Sequence, residues 1–529
     1  MVTVIVSQPT STAAPATDAP GGAVNPARRW WALIAIAAAV VVVGLDLTVL
    51  NLALPNIAVS LHANTGDLQW FSDAYSLVIA AMILPAGMLG DRYGRKRVLL
   101  VALVLFGAAS ALCAFATSTG ELIAARAILG VGASAIFPMS LSVLPVLFAP
   151  EERRKAIAVM SGATMLSFPI GPILGGYLLD HFWWGSVFLI NVPVVVIGLV
   201  AVSVLLPESR SQVKPSIDVL GVLVSSAGLI AVTYGCIKAG QNGWGNPTAL
   251  ATIGVGLVLV AAFVLIERRI TAGGGQSLVD LSLFQSVGFR WGTILVTFLS
   301  FTMFGLFFAL PQYFQDVRGV SALGSGLLLL PMVVGMVFGM VTGTRLQSPR
   351  GGADGAEGKS AAGPRTVITL GYLVIAVALG IGAFTTLSSS TWYSISWVLV
   401  CGLGFGLVMP AAMNVTLGAL TAERSGSGSA LISAMRQVGS VIGVAVLGTL
   451  ISNAYGSRVD TAGLPAAAAD LARSSLAGGV EVARELGSAA LLGSVRSAFV
   501  DGMDIVLWTC GGIAVGCAVL AALFLRKLR

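Results

Sequence analysis

Three charges stand where charge is expensive. Asp46 lies near the end of an apolar run that begins at Trp30, with no other charge between Arg29 and itself. Asp73 and Arg126 interrupt two further apolar runs. At the centre of a membrane-spanning helix such a group costs roughly 2.5–3.5 kcal/mol on insertion scales, so each needs a partner or a role. A buried carboxylate beside an arginine can hold or release a proton as the pair opens or closes. The blander readings are an acid snorkelling to an interface for Asp46 and an interfacial acid near a helix start for Asp73. A buried arginine needs a fixed partner either way.

Composition defines the elements that must position these groups. Of 529 residues, 56% are hydrophobic and only 10% charged, against about 25% charged in soluble domains. The expected fold class is therefore an all-α polytopic membrane protein. A spanning helix needs about 20 mostly apolar residues. Such runs fall near 30–53, 68–89, 98–117, 121–147, 156–179, 186–206, 217–238 and 248–266. Six more fall near 289–311, 323–345, 366–387, 392–417, 428–452 and 502–525, fourteen in all. Arg and Lys cluster in alternate connections, as in Arg92–Arg97, Arg153–Lys155, Arg268–Arg269 and Arg345–Arg365, whereas the opposite short loops hold only Lys238 and Arg318. The positive-inside rule then makes both termini cytoplasmic. The net charge of +7 reports topology, and a nucleic-acid partner is not expected. With about 1.5 Å rise per residue, Asp46, Asp73 and Arg126 fall in one layer of the outer half.

The chain reads as a disordered cytosolic tail (1–27), a six-helix bundle (28–207), two linking spans (208–270) and a second six-helix bundle (271–529). An internal repeat supports that plan. Gly130-x-Gly132-x₅-Pro138 recurs as Gly402-x-Gly404-x₅-Pro410, and Gly171 and Gly176 match Gly443 and Gly448, at an offset of 272 residues. Ala53-Leu54-Pro55 has a partner in Ala309-Leu310-Pro311. At the offset of the Ala-Leu-Pro pair Asp46 corresponds to Thr302, and at the 272-residue offset Arg126 corresponds to Val398, which implies that membrane-embedded ionisable residues belong to the first half only. The outer connection 453–500 mixes apolar and charged positions and predicts one or two amphipathic helices over the outer face.

Other chemistries find little support. Cys113, Cys236, Cys401, Cys510 and Cys517 lie in apolar runs without metal spacing. His62 and His181 sit in connections, and no HExxH occurs. Gly358-Lys359-Ser360 lacks the phosphate-loop glycine, since Ala353 holds that place. Residues 1–27 lack the basic start and apolar core of a signal peptide. Neither an enzyme nor an ATP-driven pump is expected, and no metal or cofactor.

Gly87-Met88-Leu89-Gly90-Asp91-Arg92-Tyr93-Gly94-Arg95-Lys96-Arg97 joins the second and third spans. It resembles the loop signature of the major facilitator superfamily. The rest is similar to the fourteen-span drug:proton antiporter branch of that family. Leu45–Pro55 resembles its first-span signature, and Gln69-Trp70 with Ala74-Tyr75-Ser76-Leu77 its second. Arg126-Ala127-Ile128-Leu129-Gly130-Val131-Gly132 resembles its arginine motif, Gly171-Pro172-Ile173-Leu174-Gly175-Gly176 its antiporter motif, and Phe188–Pro193 its sixth-span start. The resemblance implies proton coupling by Asp46 and Arg126, and Asp73, at the same depth, is a candidate to share the proton. It implies a latch between the halves from Gly87, Asp91, Arg92, Gly94 and Arg95. Gly171, Pro172, Gly175 and Gly176 would form a kinkable contact surface.

Three departures stand out. Leu129 replaces a usual Gln, Trp183-Trp184-Gly185 replaces a usual Trp-Arg-Trp, and no second latch is recognisable between Gln347 and Pro364. Tyr75, Phe301, Phe304, Met409, Asn414 and Arg436 are candidates to touch substrate, as an apolar pocket with few polar anchors. An aromatic stripe such as Phe298 to Phe304 is more often packing or lipid-facing, and Arg436 could equally satisfy a neighbouring helix. The resemblance implies a monomeric exporter of lipophilic drugs or antibiotics in a bacterial cytoplasmic membrane, driven by the proton gradient. Export of an endogenous lipid or metabolite, and proton-coupled uptake, are the rivals.

Overall fold

The computed structural model describes residues 26–148, 150–209, 218–272, 281–347, 362–420 and 425–525. Residues 1–25 of the tail expected at 1–27, the loop 348–361 and several of the counted basic residues lie outside them, while Pro26 and Ala27 already belong to the first helix. Among the described residues the chain is helical throughout, with no strand.

The first half comprises α1 (Pro26–Ser60), α2 (Thr65–Tyr93), α3 (Arg95–Ala114), α4 (Thr119–Leu147) and α5 (Pro150–His181), closed by α6 (Ser186–Leu189) and α7 (Asn191–Leu205). Two linking helices follow, α8 (Val219–Asn242) and α9 (Pro247–Ala272). The second half holds α10 (Val287–Gln312), α11 (Ala322–Gln347), α12 (Pro364–Gly382), α13 (Thr391–Gly418) and α14 (Ser425–Arg458). It ends with α15 (Ala466–Ser474), α16 (Leu476–Glu485) and α17 (Ala489–Phe524). Twelve of these segments are long and apolar enough to cross a membrane. The two remaining long helices, α2 and α5, have 29 and 32 residues and carry more charge.

Local sequence explains where helices start and stop. Asn64 and Asp67 form a reciprocal capping box at the start of α2. Ser118, Ser286, Ser390 and Ser488 cap α4, α10, α13 and α17. Gly94, at φ 111°, ends α2 and starts α3 without a linker. The expected sixth span is broken at Ile190, just ahead of Pro193, which has no N–H to donate.

Two boundaries differ from the sequence expectation. The last helix begins at Ala489 instead of near 502, because Arg496, Asp501 and Asp504 lower local hydropathy without interrupting the helix. The ninth span continues past Gln312 as a π-helical turn, Tyr313–Val317. The outer connection thus contracts to the two short helices α15 and α16.

The halves pack by one pattern. In the first, α2 and α3 pack on α4, α5 on α1, and α7 on α1 and α3; in the second, α11 and α12 pack on α13, α14 on α10, and α17 on α10 and α12. Small residues make the equivalent contacts. A Cβ on Gly130 would strike the Tyr75 carbonyl of α2, and one on Gly402 the Met332 carbonyl of α11. Gly132 meets the α3 backbone and Gly404 the α12 backbone. Gly335 and Gly339 of α11 lie against α13, where Gly402 and Gly406 lie against α11, so four glycines four apart bring two backbones together. Gly406→Leu should cost about 1–3 kcal/mol by overpacking. The purified protein should then unfold at a lower temperature, whereas Gly512→Leu, with open space around it, should leave the midpoint unchanged.

Candidate functional site

Asp46 and Arg126 meet inside the first half, 4% and 1% exposed. Arg126 Nη1 donates to Asp46 Oδ2 at 2.5 Å, and Arg126 Nε donates to the Phe71 carbonyl at 2.9 Å. The guanidinium carbon sits 4.4 Å from the Tyr75 ring centroid and 5.8 Å from that of Phe188. Aromatic faces therefore replace water on the sides that carry no oxygen acceptor. Leu129, where the family usually has Gln, is buried, and Arg126 is served by main chain and rings instead.

Glycines hold this geometry. Gly130, one turn beyond Arg126, lets α4 approach the Tyr75 carbonyl and places the guanidinium over that ring. Gly171 and Gly175 seat α5 against Thr48 and Val49 of α1. That contact fixes the rotation of α1, so Asp46 faces away from α5 and towards α4. Gly176 and Pro172 face the other way: a Cβ on Gly176 would meet Ala322 and Leu323, and one on Gly326 would meet the Pro172 carbonyl. The antiporter motif thus joins α5 to the ion-pair helix on one face and to the opposite half on the other. Its repeat does likewise, with Gly443 against Phe301 of α10 and Gly448 against Gln69 of α2.

Asp73 lies elsewhere. It is 1% exposed and neither carboxylate oxygen has a hydrogen-bond partner. Phe71 and Tyr75, four residues apart, share the face of α2 that serves Arg126, and Asp73 falls on the other face with Thr65 and Gln69. That face packs against α14 and α8. Depth places Asp73 level with the ion pair, but helix rotation separates them. The second half is also less neutral than expected. Asp316, in the π-helical turn, and Asp504, in α17, each have a buried oxygen without a partner. Asp316 fell between the apolar runs as read from hydropathy, and Asp504 stood at the very start of the last one.

The described latch contacts stay within the first half. Arg95 Nη1 donates to the Ser142 carbonyl of α4 at 2.9 Å, and Arg92 lies over Tyr93. A Cβ on Gly94 would meet Glu208, while Gly87 has open space around it. The Asp91 side chain lies outside the described residues. Of the six residues proposed to touch substrate, Tyr75, Phe301 and Phe304 are buried, Met409 and Arg436 half-buried and Asn414 exposed. Arg436 Nε is buried without a partner.

The two ends of the bundle differ. One, the basic face, carries Arg28, Arg29, Arg92 and Arg95–Arg97. All described side-chain hydrogen bonds between the halves lie towards the opposite face. Gln69 donates to the Val444 and Ala445 carbonyls at 3.2 and 2.9 Å. Thr65 donates to Ser474 and Gln315 to Leu52. Asp180, at the end of α5, accepts from Ser321 Oγ and from the backbone N–H groups of Ala322 and Leu323, capping α11 of the other half. Sequence reading missed Asp180. The signal was present, an acid at one helix end and a Ser321-Ala322 helix start, but nothing linear joins them.

Two pseudo-symmetric bundles around a buried ion pair, closed at one end, define a polytopic membrane transporter. A profile of the Major Facilitator Superfamily matches residues 36–444, and the chain belongs to that family. Among curated relatives, the tetracenomycin C resistance and export protein of Streptomyces glaucescens is 33% identical, covering 94% of this chain and 92% of that protein. The multidrug efflux pump LfrA of Mycolicibacterium smegmatis is also 33% identical, covering 90% and 93%. The puromycin resistance protein pur8 of Streptomyces alboniger is 31% identical, covering 84% and 86%. The fold matches a bacterial homologue of the human lysosomal transporter Spinster, solved inward-facing and occupied, at 16% identity and TM-score 0.68 over 94% and 97% of the chains.

Asp180→Ala removes the acceptor for two N–H groups of α11, a loss of about 1 kcal/mol. A cysteine placed at Ser325, buried beneath that cap, should react roughly fivefold faster with a membrane-impermeant maleimide in this variant.

Proposed function

We propose that this chain is a proton-coupled antiporter that exports lipophilic drugs or antibiotics by alternating access. The observation that carries the reading is the dry Asp46–Arg126 pair, mounted on the α1 whose rotation the α5 glycines set. The basic face is cytoplasmic by the positive-inside rule, in a bacterial cytoplasmic membrane. The closed end is then the outer one, and the conformation faces inward.

In the inward-facing form the pair is intact. Once the halves have rocked to face outward, a proton reaching Asp46 from outside removes its charge and with it the ionic bond, leaving Arg126 held by Phe71 and two rings. Breaking one side of such a pair costs about 3–5 kcal/mol, enough to bias two packings of the same helices. Asp73, unpartnered on the face of α2 that forms the seam with α14, is a second proton position. One unit of pH gradient supplies about 1.4 kcal/mol per proton and 100 mV about 2.3 kcal/mol per charge. Together they support roughly a several-hundredfold gradient of a neutral substrate exchanged for one proton. Half-buried Met409 and Arg436 and exposed Asn414 are the groups a substrate meets first, and one chain supplies both halves of the gate, so a monomer suffices.

Export of an endogenous metabolite is the second reading, since one relative carries export of tetracenomycin C in its name. In proteoliposomes with an imposed pH gradient, Asp46→Asn should abolish uphill export of a lipophilic cation such as ethidium while downhill equilibration persists. Retention of uphill export by that variant would sink the assignment.

A further inference from the structure

A cavity of about 650 Å³ opens on the basic face between the end of α9 and the start of α10. It is lined by Arg268, Thr271, Ser282, Gln285 and Arg290 over Leu281 and Phe284. Positive charge here is expected from topology alone, so its wiring decides the question. On the first-half side of this face, five of the described basic side chains are spoken for, while Arg92 lies only over the Tyr93 ring. Arg29 pairs with Glu152, Arg95 holds Ser142, Lys96 holds the Ser203 carbonyl and Arg97 faces Glu208. Arg28 donates to the Val204 carbonyl. Among the described residues, Arg268 and Arg290 have no hydrogen-bonded or ionic protein partner. The Arg290 guanidinium lies only over the Trp291 ring, at 5.7 Å.

The approach to the cavity is apolar. Along α9, Gly254, Val258, Ala261 and Leu265 are exposed at spacings of three and four residues. They form one stripe on a spanning helix that buries little of its surface. The next position on that stripe is Arg268. An acyl chain lying on it would end, about 4.5 Å beyond Leu265, at the two free guanidiniums. Trp291 stacks on Phe524 at 4.1 Å beside them, as aromatic rings do at a membrane interface.

We propose that this cavity binds the headgroup of an anionic phospholipid, its phosphate held by Arg268 and Arg290 and its hydroxyl-bearing end by Thr271, Ser282 and Gln285. Basic pockets between spanning helices at the cytoplasmic surface suit such headgroups. The site lies on the linking helix, away from the Asp46–Arg126 pair, so it is independent of the coupling mechanism.

The test uses the full-length purified protein and native mass spectrometry, with phosphatidylglycerol or phosphatidylcholine of identical chains added back after delipidation. Wild type should retain phosphatidylglycerol preferentially. Arg268→Ala with Arg290→Ala should weaken that retention roughly 30-fold, about 2 kcal/mol at 1.4 kcal/mol per decade. Arg345→Ala with Arg365→Ala, two exposed arginines of the same face outside the cavity, should not. Arg268→Gln with Arg290→Gln serves if the alanine pair does not express. Equal retention of both lipids by wild type would overturn the proposal. So would equal loss in the two double variants. Displacement of the lipid by millimolar inorganic phosphate would reassign the cavity to a free anion and overturn it as well.

Discussion

A salt bridge without water sets the terms for this fold. Asp46 and Arg126 each cost a few kcal/mol to place in the membrane, and their contact offsets that only if the geometry is held. Holding it requires four helices. α1 brings the acid and α4 the base, α2 supplies a carbonyl and a ring, and α5 sets the rotation of α1. The glycines at 130, 171 and 175 belong to this requirement as directly as the charged pair does, because each removes a side chain that would push a helix away.

Duplication gives the two halves one packing scheme but different chemistry. Gly130 and Gly402, Gly132 and Gly404, Gly171 and Gly443 make equivalent contacts in both copies. Thr302 and Val398 stand where the first half has its ion pair. The second half is still charged, through Asp316, Asp504 and Arg436, yet none of them forms a described buried pair like the one in the first. The scaffold is common to both copies, and the buried ion pair was built into one.

Linear sequence revealed the helices and the costly charges for the same reason: both are matters of local hydropathy. Asp46 and Arg126 could be placed at one depth from rise per residue alone. Rotation about the helix axis decided the rest. Phe71 and Tyr75 turn towards Arg126, whereas Asp73, between them, turns to α8 and α14, a distinction of about 200° that the 3.6-residue period already contains. Asp180 was not legible, because its partners lie some 140 residues away on another half. The start of α17 was missed because a helix can outrun its apolar segment, and charges such as Arg496 and Asp501 end a hydropathy run without ending hydrogen bonding.

The closed end is stitched twice, at α5 with α11 and at α2 with α14, by seams that the pseudo-two-fold relates. In both, main-chain oxygens of one helix, Pro172 and Val444, lie where a glycine or a glutamine of the other half covers them. Both oxygens already accept an N–H within their own helices, so parting a seam forfeits close packing and the Gln69 hydrogen bonds, not the helical ones. The two seams hold the halves from opposite sides, so the halves part as bodies only when both give way.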